Sequence, residues 1–179
     1  MRIVSGKLKG RPFSPPAGFE ARPTTDYAKE SLFNVLNNII DFEAVKVLDL
    51  FSGTGSISYE FFSRGCNDIT SVELNRKHQR FIYEMFRTFG CGRGVCSLLA
   101  DSFKFIEKTQ EKYDIIFADP PFDLEQASEL PEKIIGRGLL NDDGMFILEH
   151  AGKGKYNEHP FFEQTRNYGK VNFTFFKSL

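Results

Sequence analysis

The residues best suited to chemistry are four acidic side chains at the ends of four predicted strands. Asp49 lies inside the first strand and Glu73 ends the second, while Asp101 and Asp119 follow the third and fourth. The carboxyl ends of parallel strands meet at one edge of a sheet, where such folds bind ligands. Carboxylates gathered there without bases repel one another. The pattern therefore predicts a ligand site at this edge that makes use of the acids.

The segment Asp119-Pro120-Pro121-Phe122 is the most specific motif in the chain. Its two prolines exclude helix and strand pairing, which predicts a rigid extended loop at the ligand edge. The Asp119 carboxylate and the Pro120 carbonyl could each accept an N–H of an exocyclic amine and turn its lone pair toward an electrophile. Phe122 could stack on the base, a contact worth about 1–3 kcal/mol. We therefore predict these four residues as catalytic in a direct in-line transfer, where alignment lowers the barrier by about 7–11 kcal/mol.

A glycine-rich turn connects the first strand to the next helix. The segment VKVLDLFSGTG, residues 45–55, reads as a buried strand followed by small residues, and a helix begins near Ser56. Gly53 and Gly55 let the backbone approach a ligand where a Cβ would block it. Glu73 lies 20 residues after Gly53, the spacing at which an acid on the second strand accepts both hydroxyls of a ribose. The ligand is therefore predicted to contain a nucleoside.

Two nucleoside cofactors fit this pattern, a nicotinamide dinucleotide and S-adenosylmethionine. The dinucleotide fingerprint requires a third glycine where this chain has Ser58, and a turn free for pyrophosphate, whereas Asp49 stands at its base. S-adenosylmethionine has no phosphate and presents a cationic amino acid moiety to Asp49, with Asp101 placed to accept from the adenine amino group. We predict S-adenosylmethionine. The predicted binding residues are Asp49, Phe51, Ser52, Gly53, Gly55, Glu73, Leu74, Asp101, Ser102 and Asp119.

The first 30 residues carry clustered positive charge. Basic residues from Arg2 to Arg11 precede the first acid, Glu20, and the segment IVSGKLKGRPF predicts a small hairpin. Several prolines then predict an extended loop, and RPTTDYAKESLFNVL predicts a helix capped by Thr24, Thr25 or Asp26. The charge is either a solvated surface or a site for a partner with phosphates, and its clustering favours the partner.

From residue 45 onward, strand and helix patterns alternate. This predicts an α/β, Rossmann-like fold: a mostly parallel seven-stranded sheet with helices on both faces and an antiparallel C-terminal strand pair. The predicted strands after the first are Ile69–Leu74, Val95–Ala100, Tyr113–Ala118, Gly144–Glu149, Thr165–Tyr168 and Val171–Phe176. The predicted helices run from Ser56 to Arg64, from Arg76 to Phe89 and from Leu124 to Gly136. A further helix is predicted to start at Ser102, which is expected to cap it.

Composition limits the protein class. A chain of 179 residues with 41% hydrophobic and 26% charged residues is typical of one globular domain. The three cysteines lack C-x-x-C spacing, and His78, His150 and His159 fall in no metal-ligand spacing, so we expect no disulfide framework and no metal. We interpret the histidines as surface or packing residues. No apolar run has the length of a membrane span and no signal-peptide region is present, so we expect a cytoplasmic monomer.

Three motifs carry a family resemblance. VLDLFSGTGS, SVELNRK and DIIFADPPF resemble those of class I S-adenosylmethionine-dependent amino-methyltransferases. RIVSGKLKGRPF and RPTTDYAKESLFNVL resemble one family among them, the bacterial 16S ribosomal RNA guanine-N2 methyltransferases of the RsmD type. The chain departs from that pattern at Tyr27-Ala28, where the family usually continues with an arginine. The resemblance implies a methyltransferase domain over residues 24–179, preceded by a basic N-terminal extension over residues 1–23.

The resemblance also implies a substrate. The loop from Asp119 to Phe122 would hold the target guanine of 16S ribosomal RNA, either free or in an assembling small ribosomal subunit. The residues implied in RNA binding are Arg2, Lys7, Lys9, Arg11, Arg22, Thr24 and Lys29. The alternatives within enzymes are a DNA adenine-N6 or a protein glutamine methyltransferase, which use related loops. Alternatives from other classes are a nicotinamide oxidoreductase and a non-catalytic RNA-binding module.

Overall fold

The computed structural model describes residues 1–19, 25–152 and 156–177. They form a seven-stranded sheet in the order β3-β2-β1-β4-β5-β7-β6. The first five strands are parallel, whereas β7 runs antiparallel to both β5 and β6. The strands are β1 Lys46–Leu50, β2 Asp68–Glu73, β3 Val95–Leu99, β4 Tyr113–Ala118, β5 Leu140–His150, β6 Phe162–Tyr168 and β7 Val171–Lys177. The predicted fold class is confirmed.

The described residues also form five α-helices and three short 3-10 helices, of which one α-helix and one 3-10 helix precede β1. The α-helices are α1 Asp26–Leu36, α2 Ser56–Ser63, α3 Arg76–Thr88, α4 Ser102–Lys108 and α5 Leu130–Ile135. The 3-10 helices are Gly6–Leu8, Glu125–Glu129 and Tyr156–Glu158. Helices cover both faces of the sheet and divide the core in two. On one face α1, α2 and α3 pack around Phe33, Phe61 and Ile82, and on the other α4 and α5 pack around Ile106 and Ile134.

Polar side chains fix where the helices begin. The Thr25 hydroxyl accepts the backbone N–H of Ala28 at 3.2 Å and caps α1, as predicted. The cap of α4 is Asp101, whose carboxylate accepts the N–H of Lys104 at 3.0 Å. The prediction of Ser102 as the cap was therefore wrong, because the residue before it already fills that role. The Ser102 hydroxyl is left for another contact at the ligand edge.

The predicted helix from Leu124 to Gly136 is two elements. A 3-10 helix, Glu125–Glu129, precedes α5, which has Pro131 in its first turn. Proline has no N–H to continue a preceding helix but fits a helix start, so the chain begins a new helix there. The strand predicted from Gly144 starts earlier, at Leu140, with a register shift against β4.

The N-terminal segment is hairpin-like, as predicted, although it forms a single bridge rather than a strand pair. Arg2 pairs antiparallel with Pro12, and the turn between them contains the 3-10 helix Gly6–Leu8. Ile3, Leu8 and Phe13 are buried in the same core cluster as α1 and α2. The segment is therefore an integral part of the described domain and not an appendage beside it.

Buried charges on α2 hold this segment in place. The Glu60 carboxylate accepts the backbone N–H groups of Val4 and Ser5, both at 2.9 Å. Glu60 also pairs with Arg64 at 3.0 Å and with Lys29 at 3.8 Å. Among the described residues, no buried side-chain N or O atom of this cluster lacks a hydrogen-bond partner, so the cluster positions the basic segment against α2.

No helix among the described residues is long and apolar enough to cross a membrane. Within the same residues, no group of three or more His, Cys, Asp or Glu side chains has the geometry of a metal site.

Candidate active site

A cavity of about 770 Å³ opens at the carboxyl ends of the parallel strands. All four predicted strand-end acids, Asp49, Glu73, Asp101 and Asp119, contribute to its wall. The predicted residues that line it are Asp49, Phe51, Ser52, Gly53, Glu73, Leu74, Asp101, Asp119, Pro120, Pro121 and Phe122. The fold thus brings the cofactor motif and the proline loop to one space.

Asp49 is the most buried of these acids, with 1% of its surface exposed. The Ser58 hydroxyl donates to its carboxylate at 2.5 Å and also contacts the hydroxyl of Ser71. Burial raises the pKa of Asp49 to about 7, although the hydrogen bond from Ser58 acts in the opposite direction. A cationic ligand beside this buried carboxyl would stabilise its charged form.

The turn after β1 takes backbone angles that favour glycine. Gly53 and Gly55 have φ values of 54° and 77°, and a Cβ on Gly55 would lie 2.6 Å from the Tyr59 ring. Phe51 also has a positive φ of 56°. Its backbone N–H donates to the Ser102 hydroxyl at 3.2 Å, which holds the turn against α4. Ser102 therefore supports the turn from behind, and neither it nor Gly55 is among the residues lining the cavity.

Glu73 connects the turn to the second strand. One carboxylate oxygen accepts the N–H of Gly53 and the other that of Asn75, both at 2.8 Å. Each oxygen keeps a further lone pair for a ligand hydroxyl. The acid predicted to bind ribose is thus also the residue that fixes the glycine turn, a contact that the sequence did not reveal.

Two titratable residues of the described cavity wall were not among the predicted site residues. Glu149, at the end of β5, is 3% exposed and lines the cavity. It is the acid that ends a fifth strand, and extending the strand-end pattern by one strand would have found it. His78, interpreted as a surface or packing residue, is buried in the cavity wall, stacks on Phe19 at 3.8 Å between ring centroids, and lies 3.8 Å from Glu73.

The predicted RNA-binding residues divide into three groups. Arg2, Lys7, Lys9 and Arg11 are exposed on the N-terminal segment. Arg22 and Thr24 lie outside the described residues. Lys29 has no exposed surface, because its ammonium group donates to the Arg2 carbonyl at 2.8 Å and to the Ser56 hydroxyl at 3.1 Å. The expectation that Lys29 contacts RNA was therefore wrong, and it binds the basic segment to α2 instead.

The cavity suits S-adenosylmethionine in both size and charge. Its volume lies within the range of about 300–1,000 Å³ that is usual for small-molecule sites. Asp49 offers a buried acid for the cationic amino acid moiety, and Glu73 offers lone pairs for the ribose hydroxyls. The Asp49 carboxylate in the cavity wall, at the base of the glycine turn, would oppose the pyrophosphate of a dinucleotide. The donor set thus matches S-adenosylmethionine better than a dinucleotide.

A family model and several named relatives match this chain over most of its length. The family model of Conserved hypothetical protein 95 matches residues 1–177. The YlbH protein of Bacillus subtilis (strain 168) is 31% identical over 153 residues, covering 84% of this chain and 82% of that protein. The ribosomal RNA small subunit methyltransferase D of Escherichia coli (strain K12) is 28% identical over 149 residues, covering 83% and 74%.

Solved structures share the fold. The yhhF protein of Escherichia coli superposes with a TM-score of 0.85 at 23% identity, covering 100% of this chain and 99% of that one. The 16S rRNA N2 G1207 methyltransferase of Thermus thermophilus, solved with AdoMet and guanosine, gives a TM-score of 0.70 at 20% identity, covering 90% and 45%. With the family match over nearly the whole chain, these observations show that the protein belongs to the Conserved hypothetical protein 95 family, the RsmD-type S-adenosylmethionine-dependent methyltransferases that its motifs predicted.

Proposed function

We propose that this protein methylates the exocyclic N2 amine of a guanine in small-subunit ribosomal RNA, with S-adenosylmethionine as the methyl donor. The observation that carries the proposal is that Asp119–Phe122 and the acids Asp49 and Glu73 line one cavity. Relatives named ribosomal RNA small subunit methyltransferase D support the RNA substrate. The guanosine bound by a structural neighbour supports the choice of base.

The loop is held in position at both ends. The Asp119 N–H donates to the Leu50 carbonyl at 3.4 Å, which ties the start of the loop to β1 next to Asp49. The Leu124 N–H donates to the Pro121 carbonyl at 2.9 Å and closes its far end. A fixed loop orients the target amine relative to the cofactor site, which is the main contribution that alignment makes to catalysis.

The chemistry is a direct displacement in which the protein positions the nucleophile. S-adenosylmethionine, when bound, supplies an electrophilic methyl group whose C–S bonding electrons stay with sulfur as the new C–N bond forms. The Asp119 carboxylate and the Pro120 carbonyl each accept one N–H of the guanine amine and aim its lone pair at the methyl carbon. The methylated nitrogen is strongly acidic and then loses one proton to solvent. Phe122 stacks on the base, which leaves its own stack to enter the site.

The exposed cations of the N-terminal segment complete the proposed RNA site. Arg2, Lys7, Lys9 and Arg11 are exposed, and Glu60 anchors the backbone of their segment at Val4 and Ser5. Lysine and arginine side chains in such a group neutralise phosphates without reading sequence. The base is therefore selected at the cavity, and the RNA backbone is held at this segment.

The test is methyl transfer from labelled S-adenosylmethionine to small-subunit RNA from a strain that lacks the enzyme, offered free and in particles. Wild-type protein should label RNA and give N2-methylguanosine on digestion and mass spectrometry. Asp119→Ala should reduce transfer to background with cofactor affinity within a few fold of wild type. Asp142→Asn, an exposed acid at the start of β5, is the control and should leave transfer unchanged. N6-methyladenosine as the product, or labelled DNA or protein with unlabelled RNA, would overturn the proposal.

A further inference from the structure

A second, smaller cavity adjoins the first at the proline loop. Its volume is about 360 Å³, within the range of small-molecule sites. The two cavities share five wall residues, which are Pro120, Pro121, Phe122, Leu124 and Glu149. The loop proposed to hold the target base thus lies where the two cavities adjoin.

The sheet register places Glu149 beside Asp119. Ala118 of β4 pairs with Leu148 of β5, so the two acids follow next to each other on parallel neighbouring strands. Glu149 is 3% exposed and is the one acid that lines both cavities. Two carboxylates on adjacent strands offer acceptors at neighbouring positions along one edge of a base.

The described wall of the second cavity includes the carboxylates of Asp123, Glu125 and Glu149. Its described residues include no Lys or Arg. His150 accepts the Gly152 N–H on Nδ1 at 3.0 Å, so its Nε2 carries the proton and donates to the Thr174 hydroxyl at 2.7 Å. Burial lowers the pKa of His150 to about 4, so the imidazole is neutral at physiological pH. A wall of this kind favours a ligand edge that presents N–H donors.

The apolar part of the wall suits a planar ring. Tyr156 and Ala127 are buried, and Phe122 is partly exposed. The Tyr156 ring lies 4.6 Å from His150, so that two rings stand together beside the carboxylate. Aromatic surfaces next to a hydrogen-bonding edge are the usual elements of a site for an unstacked base.

Guanine differs from the other common bases that carry an amine, because the ring nitrogen next to its amine is protonated. Its N1–H and N2–H groups are adjacent donors, whereas the ring nitrogens beside the amines of adenine and cytosine are acceptors. A carboxylate that faces such an acceptor places two lone pairs against each other, and no hydrogen bond forms between them. Sites built to hydrogen-bond one group reject an analogue that lacks it by about 10⁴–10⁵-fold at most.

We propose that Glu149 selects guanine by accepting its N1–H where the two cavities adjoin, while Asp119, in the wall of the first cavity, accepts an N–H of the neighbouring amine. This inference rests on the proposed function and specifies how the base is chosen. Glu149 is a specificity-determining residue here, since it contacts the base but not the transferred methyl group.

The probe is 2-aminopurine, which keeps the N2 amine of guanine but has an unprotonated N1. It is placed by splinted ligation at the nucleotide mapped in the transfer assay. Wild-type protein should prefer guanine to 2-aminopurine by about 100-fold or more in kcat/KM. In Glu149→Gln, whose amide can also donate to N1, the preference should fall at least tenfold, with cofactor affinity unchanged. Asp142→Asn should keep the wild-type preference.

The outcomes separate this inference from the proposed function. Asp119-dependent methylation of RNA with equal rates for guanine and 2-aminopurine in wild-type protein would overturn the inference alone. This comparison needs no variant, so it stands even if Glu149→Gln fails to fold. An unchanged preference in a folded Glu149→Gln protein would also overturn it. Absence of RNA methylation by wild-type protein would overturn the proposed function and this inference together.

Discussion

Two buried carboxylates, only 11 residues apart in the chain, have opposite surroundings. Glu60 on α2 has no exposed surface and is matched by Lys29, Arg64 and two backbone N–H groups. Asp49 on β1 is 1% exposed and is held by the Ser58 hydroxyl, with no Lys or Arg among the described residues that line its cavity. One acid is neutralised by the fold, and the other has a raised pKa of about 7.

The difference indicates which acid serves structure and which serves binding. A buried ion pair contributes order when all its partners are present, and the Glu60 cluster fixes the basic segment on α2. A buried acid without a cation destabilises the unliganded protein as it ionises, and a cationic ligand relieves that cost. The comparison predicts that loss of Glu60 damages the fold, whereas loss of Asp49 damages cofactor binding.

The largest expected effect is the loss of stability caused by Glu60→Ala. Removing one partner of a buried charge network leaves Lys29 without its carboxylate and should lower the free energy of unfolding by about 3–5 kcal/mol. Urea denaturation measures it. The control is Glu84→Ala, which removes an exposed pair with Arg80 at 2.9 Å and should cost less than about 1 kcal/mol. Equal losses in the two variants would remove the distinction between a structural and a ligand-binding carboxylate.

The second effect concerns Asp49 and pH. Binding of a cationic group favours the ionised carboxyl, so wild-type affinity for S-adenosylmethionine should rise about tenfold per pH unit below pH 7 and level off above it. Asp49→Asn should bind weakly with no such rise. Isothermal titration calorimetry from pH 6 to 8 measures both, and a pH-independent affinity in wild-type protein would contradict the assignment.

Asp49 also predicts how the stability of the unliganded protein depends on pH: stability should fall as pH rises, whereas cofactor affinity should rise. Its folded pKa of about 7 lies above the ordinary value of 3.8. Its contribution to stability is therefore complete below about pH 4 and is lost as pH rises through about 7. Relative to wild type, unliganded Asp49→Asn should become more stable as pH rises from 4 to 8.

The smallest effect is expected for RNA binding by the exposed cations of the N-terminal segment. Charge reversal at Lys7, Lys9 and Arg11 should weaken RNA binding and reduce the slope of log affinity against log salt by about 2, because each lost phosphate contact removes about 0.7–0.9. Binding over a salt series measures the slope. Reversal of Lys108 and Lys112, exposed and outside the N-terminal segment, is the control. An unchanged slope would identify the N-terminal segment as a solvated surface.

The cofactor edge could be largely predicted from sequence because its signals are local. Strand, glycine turn and strand-end acid follow one another in the chain, and parallel pairing brings all strand ends to one edge. The predicted acids from Asp49 to Asp119 accordingly line the cavity. Glu149 was missed although it ends a strand in the same way, and extending the strand-end pattern by one strand would have included it.

Lys29 shows the limit of such reasoning. It lies in a charged helix start, and a lysine there normally faces solvent. It is buried because Glu60, the Arg2 carbonyl and the Ser56 hydroxyl meet at its ammonium group. These partners lie 27 or more residues away in the chain, and no local pattern announces them.

The sequence by itself determined the order of the strands, the glycine turn after β1 and the rigid loop after β4, because backbone restrictions of glycine and proline act within a few residues. The tertiary structure alone decided which charges are matched and which face a cavity. It buried Lys29 with Glu60, left Asp49 beside the ligand space and set Glu149 next to Asp119. Charge matching depends on distances between segments far apart in the chain, and only the folded arrangement fixes those distances.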